Sequence, residues 1–187
     1  MNQLQMQKGR PKNGTERTDT ELRVYDFLDQ LWIEYERIDH EAVETMEDCI
    51  EIDQALAPAV VCKNLFLKNS KEDHYYLLMM LGDKKFRSSE VAGQIGSTRL
   101  SFASAERMKE YLDIRPGSVS VMGLINDTGR RVKLLVDEDL LAHELLGCHP
   151  CVNTSSLRLK TGDVLEQFVP ATGHDYVVVH IGKAANL

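Results

Sequence analysis

The sharpest chemical feature of the chain is Gly147-Cys148-His149-Pro150-Cys151-Val152-Asn153-Thr154. Glycine frees the backbone and proline fixes it, so together they can build a rigid loop that aims N–H groups at a small polar ligand. His149 inside that loop can hydrogen-bond or move a proton near neutral pH. A structural turn with an incidental histidine fits the same spacing equally well. A structural zinc site wants four ligands, and Cys148 and Cys151 have no second pair beyond Cys49 and Cys62, which sit where a core is expected. A redox Cys-x-x-Cys belongs at a helix start after a strand, whereas here a strand is expected to follow. A cysteine nucleophile needs a base pointing at it, and loop neighbours such as Cys148 and His149 generally point apart.

Lys63-Asn64 is the second candidate. It interrupts an apolar run, Val60 to Leu67, and strand alternation puts one of the two toward the interior or a cleft. A lysine there is costly unless it meets an anion, a carbonyl or water. An edge-strand lysine with its ammonium in solvent is the plainer alternative.

These groups need a frame. Residues 1–18 are polar and aperiodic and are expected to be a flexible tail, with a single domain over residues 19–187. Thr18-Asp19-Thr20-Glu21 has the form of an N-cap and acidic first turn. Leu22, Tyr25, Leu28, Leu31 and Trp32 then predict an amphipathic helix to about Glu36, followed by a short strand near Tyr35 to Asp39. A helix over Glu47 to Ala57 stops at Pro58. Val60–Leu67 and Tyr75–Leu81 are β-rich, and Ser88–Ile95 and Ser104–Leu112 are expected helices. Strands are expected at Ser118–Leu124, Val132–Val136, Val152–Leu159 and Tyr176–Ile181. Short helices are expected from Asp137 and over Thr161–Phe168. The class is α+β, a mixed, mostly antiparallel sheet with surrounding helices.

The 187 residues, 43% apolar and 27% charged, suit one soluble globular domain. No apolar run approaches the ~20 residues of a membrane helix, and the N-terminus has no secretory h-region, so a cytoplasmic protein is expected. The net charge of −7 argues against a general nucleic-acid coat. It leaves room for a local patch at Lys84-Lys85-Phe86-Arg87 or Arg130-Arg131-Val132-Lys133, where ordinary solvated surface charge fits as well.

The ordered set of these pieces resembles the prolyl-tRNA-synthetase-associated, or YbaK-type, editing domain family. The resemblance runs from about Leu22 to Ile181. It rests on His40-Glu41-Ala42 with Thr45, Val61-Cys62-Lys63-Asn64-Leu65-Phe66-Leu67, Asp83-Lys84-Lys85, Gly117-Ser118-Val119 and Leu124-Ile125-Asn126-Asp127. Asp137-Glu138-Asp139-Leu140, Gly147-Cys148-His149-Pro150, Asn153-Thr154 and Gly173-His174 complete it. It implies hydrolysis of the ester joining a wrongly attached amino acid to the 3′ end of tRNA, with no metal and no cofactor. By that similarity Lys63 and His149 carry the reaction, and Asn64 lines the ester and terminal-adenosine site. Gly147, Cys148 and Pro150 with Asn153 and Thr154 border the aminoacyl group, and the Cys148 thiol is a bystander. Lys84, Lys85 and Arg87 are the expected stem contacts. The Gly-x-His-Pro and Asn-Thr signatures are nearer the branch that clears alanine from proline tRNA. The implied partners are the acceptor end of mischarged tRNA(Pro) and a separate prolyl-tRNA synthetase. A Cys-tRNA(Pro) deacylase and a non-hydrolysing aminoacyl-tRNA sensor remain the alternatives.

Overall fold

The computed structural model describes residues 4–14, 16–42 and 46–182; Thr45 of the expected motif lies outside them. Its strands are β1 (Gln7–Lys8), β2 (Glu36–Asp39), β3 (Val60–Lys68), β4 (Tyr75–Leu81), β5 (Ser101–Phe102), β6 (Val132–Asp137), β7 (Leu145–Cys148), β8 (Ser155–Lys160) and β9 (Tyr176–Val179). The helices that cover them are α1 (Asp19–Gln30), α2 (Met46–Leu56), α3 (Ser88–Gln94) and α4 (Ala105–Leu112). The sheet order is β1-β2-β8-β7-β3-β4-β6-β9, with β5 added to β3. Three pairings, β3–β7, β4–β6 and β6–β9, are parallel and the other five antiparallel, so the expected mixed, mostly antiparallel sheet is present.

Alternation in β3 assigns the layers. Cys62 and Phe66 face the main core, which they share with Val24, Tyr25 and Leu28 of α1 and Met108 and Leu112 of α4. Leu65 and Leu67 face the other way, onto Val91 and Ala92 of α3. Val61 faces a third cluster with Ile38 and with Ile52 and Leu56 of α2. Two helices therefore share one face of the sheet, α2 over the start of β3 and α3 over its end.

The joint between the two halves of the sheet is short. β3 meets β7 in only two register pairs, Val60↔Leu146 and Val61↔Gly147. A Cβ at Gly147 would stand 3.0 Å from Leu56 Cδ1 and 3.1 Å from Val61 Cγ2, so this glycine lets α2 lie close on the sheet. Arg158 of β8 secures the end of α2 by donating from Nη1 to the carbonyls of Leu56 (3.2 Å) and Ala57 (2.5 Å). Its Nε also donates to Glu36 Oε2 at 2.7 Å.

A second tie is electrostatic. Lys84, three residues beyond β4, is 3% exposed, and its ammonium lies 2.7 Å from Asp137 Oδ1 and 2.8 Å from Asp139 Oδ2. Burial works against the charge, but the two carboxylates outweigh it and hold the ammonium above the usual lysine value. Asp137, fully buried at the end of β6, also accepts from Leu81 N, which locks the ends of β4 and β6 together. Lys84 is therefore unavailable to an RNA phosphate, contrary to the expectation from its neighbours in sequence.

Other expectations change for identifiable reasons. Residues 4–14 and 16–18 are not a structureless tail. Gln7 and Lys8 pair with Arg37 and Glu36, and Arg10 Nη1 reaches Asp26 at 2.9 Å. Arg17 holds Asp39 through both terminal nitrogens, at 2.8 and 2.7 Å. A two-residue strand has no periodicity to read, and the partners of these arginines are distant in sequence. α1 is capped by Thr18 as expected but ends at Gln30, not near Glu36. Trp32 takes a left-handed φ of 57°, and Trp32 N and Ile33 N turn back to Asp29 O and Leu28 O, a Schellman ending. Ser118–Leu124 is not a strand: Val121–Asn126 is a 3₁₀ helix whose start Ser120 caps through Met122 N. A Cβ at Gly123 would meet Ile114 Cδ1 at 2.4 Å, so this turn packs tightly under α4.

Gly147→Ala should lower stability by about 1–3 kcal/mol in equilibrium urea unfolding, because the added methyl meets packed Leu56 and Val61. Lys84→Met should lower it further, by about 3–5 kcal/mol, since Asp137 stays buried without its cation. An unchanged unfolding midpoint in either variant would contradict the contact assigned to it.

Candidate active site

β3 has different neighbours along its outer edge. β7 pairs with it at residues 60–61 and β5 at residues 67–68. Ala103 N also donates to Phe66 O at 3.0 Å. Between these contacts, from Cys62 to Leu65, no strand pairs with that edge among the described residues. Lys63 and Asn64 stand in this gap. Carrying the parallel register two steps past Val61↔Gly147 brings Lys63 level with His149, at the point where β7 has ended and the chain turns away. The two residues expected to carry the reaction thus lie on neighbouring segments where paired strands part, which is also where backbone groups and side chains become reachable.

Lys63 is exposed, and its Nζ donates to the Lys84 carbonyl at 3.3 Å. No carboxylate pairs with it among the described residues. The carbonyl that receives it belongs to the residue whose own ammonium is clamped by Asp137 and Asp139. One lysine therefore fixes the turn on which the other rests. Asn64, the next residue, lies on the opposite face of β3. Its Nδ2 donates to Cys62 O at 3.3 Å, and its Oδ1 is buried without a partner. The two neighbours do not line one wall, although both occupy the gap.

His149 is partly buried just beyond β7. Its Nδ1 lies 3.1 Å from the carbonyl of Ser155, which can only accept, so Nδ1 carries the proton and Nε2 holds the lone pair. Nε2 has no partner among the described residues. Desolvation and, with it, the nearby charge of His40 lower the pKa of His149 against the pull of the Ser155 carbonyl. The ring is thus held neutral, with a free acceptor. Its backbone is fixed from the far side, where Ser120 Oγ, fully buried, donates to His149 O at 2.5 Å.

Gly147 and Cys148 are not part of a loop with exposed N–H groups. They belong to β7 and pair with Arg158 and Leu157 of β8, because Leu145 and Leu146 begin the strand earlier than the glycine suggests. Cys148 is 4% exposed and faces the main core, so its side chain does not touch a substrate in the gap. Burial raises the Cys148 thiol well above its usual value, aided by Cys62 and Cys151 nearby; Cys62 is likewise pushed up to about 11. These thiols stay protonated and are poor nucleophiles. Among the described residues no group of three or more His, Cys, Asp or Glu side chains is gathered as a metal would need. Pro150 is buried, Asn153 partly buried, and Thr154 exposed.

Two further segments border the site. His40 N donates to Thr154 O at 3.0 Å and its Nε2 lies 2.9 Å from Ser156 Oγ, which places this histidine beside the loop that holds His149. The turn before the Val121–Asn126 helix lies across from it: a Cβ at Gly117, whose φ is 86°, would be 4.0 Å from Asn153 Nδ2. Both segments are visible in the sequence as motif fragments, but only the fold brings them to this loop. The basic residues divide. Lys85 and Arg87 are exposed near the gap, whereas Arg131 is stacked 3.8 Å over the Tyr111 ring and pairs with Glu110. Asp127 and His174, also matched in sequence, form a buried pair at 3.1 Å that anchors the segment after the 3₁₀ helix. A separate cavity of about 540 Å³, lined by Lys8, Trp32, Tyr35, Leu145 and Arg158 among others, lies toward the opposite end of β7 and includes none of the candidate residues.

Comparison with known proteins identifies the family. The profile of the aminoacyl-tRNA editing domain matches residues 40–166, which contain Lys63, the gap and His149. The prolyl-tRNA editing protein ProX of Acetoanaerobium sticklandii is 34% identical over 163 residues, 87% of this chain and 98% of that protein. Prolyl-tRNA synthetase associated domain-containing protein 1 of Bos taurus is 34% identical over 160 residues, 83% of this chain and 92% of its own length. Among solved structures, a candidate trans-editing enzyme for prolyl tRNA synthetase superposes with a TM-score of 0.67 at 17% identity, covering 90% of this chain and 100% of its own. At that identity the superposition speaks for the fold alone. The chain belongs to the aminoacyl-tRNA editing domain family and is an aminoacyl-tRNA deacylase.

Proposed function

We propose that this protein acts in trans in the cytoplasm, hydrolysing the ester of Ala-tRNA(Pro) with Lys63 and His149 as its catalytic residues. The observation that carries the reading is the edge gap of β3, where a lysine with no carboxylate partner among the described residues and a neutral histidine stand on the two segments that part after Val61↔Gly147. Attack of water on the ester carbonyl builds negative charge on oxygen, and the Lys63 ammonium can donate to it with the N–H groups that the Lys84 carbonyl leaves free. His149 Nε2 can accept a proton from the water or from the amino acid's ammonium. A substrate ribose hydroxyl can assist the transfer, while Asn64, on the face of β3 turned away from Lys63, steadies the strand at the gap through its bond to Cys62 O. Gly147, Cys148 and Pro150 support the His149 loop rather than contact substrate, with Asn153 and Thr154 at its rim. Lys85 and Arg87 remain for RNA phosphates. The names carried by the relatives support tRNA(Pro) as the RNA and prolyl-tRNA synthetase as an associate. Alanine over proline is exclusion by size, which can be steeper than the ~1–3 kcal/mol of a missing methylene.

Incubating the purified protein with proline tRNA charged with alanine, cysteine or proline tests the assignment. Alanine should be released fastest and proline spared. Faster cysteine release would overturn the substrate, and no release of any would overturn the activity. Lys63→Ala should lower kcat/KM for the alanyl substrate by about 10²–10³ while the melting profile is kept; wild-type rates would remove Lys63 from the reaction.

His149 gives a pH dependence. Its folded value is lowered from 6.5, so the neutral ring persists as pH falls through 6.5 and protonates only below it. The acid limb of kcat/KM should therefore have its midpoint below 6.5, and His149→Ala should abolish that limb. The fold's preference for the neutral ring adds stability above 6.5 that is lost as pH falls through the folded value. A limb above 6.5, or one that survives in His149→Ala, would assign it to another group.

A further inference from the structure

Lys63, Leu65 and Leu67 alternate onto one face of the sheet, and Phe102 of β5 lies directly opposite Leu67 in the antiparallel register. In such a pair both side chains project from the same face, so Phe102 shares the face of Lys63. It stands four strand residues away, roughly 13 Å along the sheet. Phe102 is 64% exposed, an unusual setting for a phenylalanine in a sheet. It is not isolated, because the Phe86 ring meets it edge-on, with centroids 6.2 Å apart and planes at 61°. Phe86 packs in turn against the α3 cluster, so the pair has a rigid base. Phe86 also follows Lys84 by two residues, and the Lys84 carbonyl is the group that receives the Lys63 ammonium.

The charges around the pair have a sign. Lys85 and Arg87 flank Phe86, Arg99 precedes Phe102 by three residues, and all three are exposed with no ion pair among the described residues. The acidic neighbours are Asp83, which is exposed, and Glu90, whose Oε1 accepts from Gly182 N. An aromatic face rimmed by free cations and continuous with an ester-cleaving centre suits an unstacked nucleobase joined to phosphates. A protein partner would gain less from the cations and nothing from the alignment with Lys63.

We propose that Phe102, backed by Phe86, is the platform on which the base of the RNA's 3′-terminal nucleoside stacks while its acyl ester lies at Lys63. This rests on the deacylase reading above. It also gives the gap a direction: the ester enters between α2 and the turn after β4, the base lies toward β5, and the phosphates run past Lys85, Arg87 and Arg99.

The test compares wild type, Phe102→Ala and Phe102→Tyr on two alanylated RNA minihelices, one ending in adenosine and one in the same ribose without its base. On the adenosine substrate Phe102→Ala should lose roughly 5- to 100-fold in kcat/KM, and Phe102→Tyr should keep most of the activity. On the baseless substrate wild type should fall by a similar factor, and Phe102→Ala should lose nothing more. An unchanged rate for Phe102→Ala on adenosine overturns the platform. So does an equal loss on both substrates, which would point to a structural or protein-docking role. If wild type cleaves neither, the deacylase reading fails, and affinity for a non-hydrolysable 3′-amide analogue decides the platform separately. Weaker binding by Phe102→Ala with the base and equal binding without it would uphold the platform; equal binding in both cases would overturn it.

Discussion

The pairing of β3 with β7 through Val60↔Leu146 and Val61↔Gly147 is the constraint on which the rest of the molecule depends. It is the only seam between the half of the described sheet built from β1, β2, β8 and β7 and the half built from β4, β6, β9 and β5. A seam this short has two effects. It demands close approach of α2, which Gly147 allows, and it releases the edge of β3 after Val61. Were the pairing four residues longer, β7 would close the edge and Lys63 would face another strand. Were it absent, α2 and β8 would have nothing to register against. The candidate gap is thus the unpaired remainder of a strand whose ends are both fixed.

The two lysines show how context divides one side-chain chemistry. Lys84 is enclosed by Asp137 and Asp139 and serves as an internal tie. Buried ion pairs are weak sources of net stability, yet breaking one is expensive, which makes them good at fixing a single geometry. Here the geometry fixed is the turn whose carbonyl orients Lys63. Lys63 is exposed and has no carboxylate partner among the described residues. The same contrast separates His149 from the cysteines beside it. Desolvation keeps both neutral, but neutral imidazole retains a usable lone pair while a protonated thiol is inert.

Much of the frame was legible because it rests on local rules. Thr18 before an acidic turn, Pro58 after α2, the β-rich runs of β3 and β4, and Ser104 before α4 all fall where periodicity and capping place them. What escaped depends on partners far along the chain. Residues 7–8 form a strand only because Glu36 and Arg37 offer an edge. Val119 and Val121 alternate like a strand but are drawn into a 3₁₀ turn by Ser120 and the packing at Gly123. At the site, Lys63 and His149 were found by motif order, whereas their level placement needed the β3–β7 register. Lys84 was misjudged because burial is invisible in a run of basic residues. Asn64 is joined to Lys63 by motif order alone, since neighbours in a strand face opposite ways.

The sheet order also governs how the chain can be made. β1 and β2 leave the ribosome early, yet the partner of β2 is β8, and β8 is complete only at Lys160. Until then Ile38 and the apolar side of α2 lack the strand they pack beside, and the Arg158 that holds the end of α2 has not been synthesised. Pairings this distant in sequence form slowly and leave edges open meanwhile. β4 meets both of its partners, β3 and β6, by Asp137, so we expect these three strands to collapse first, with the β9 edge of β6 closed last. A nascent chain stalled before Lys160 would present an open β2 edge and an unsupported helix, the state in which this protein most needs a chaperone.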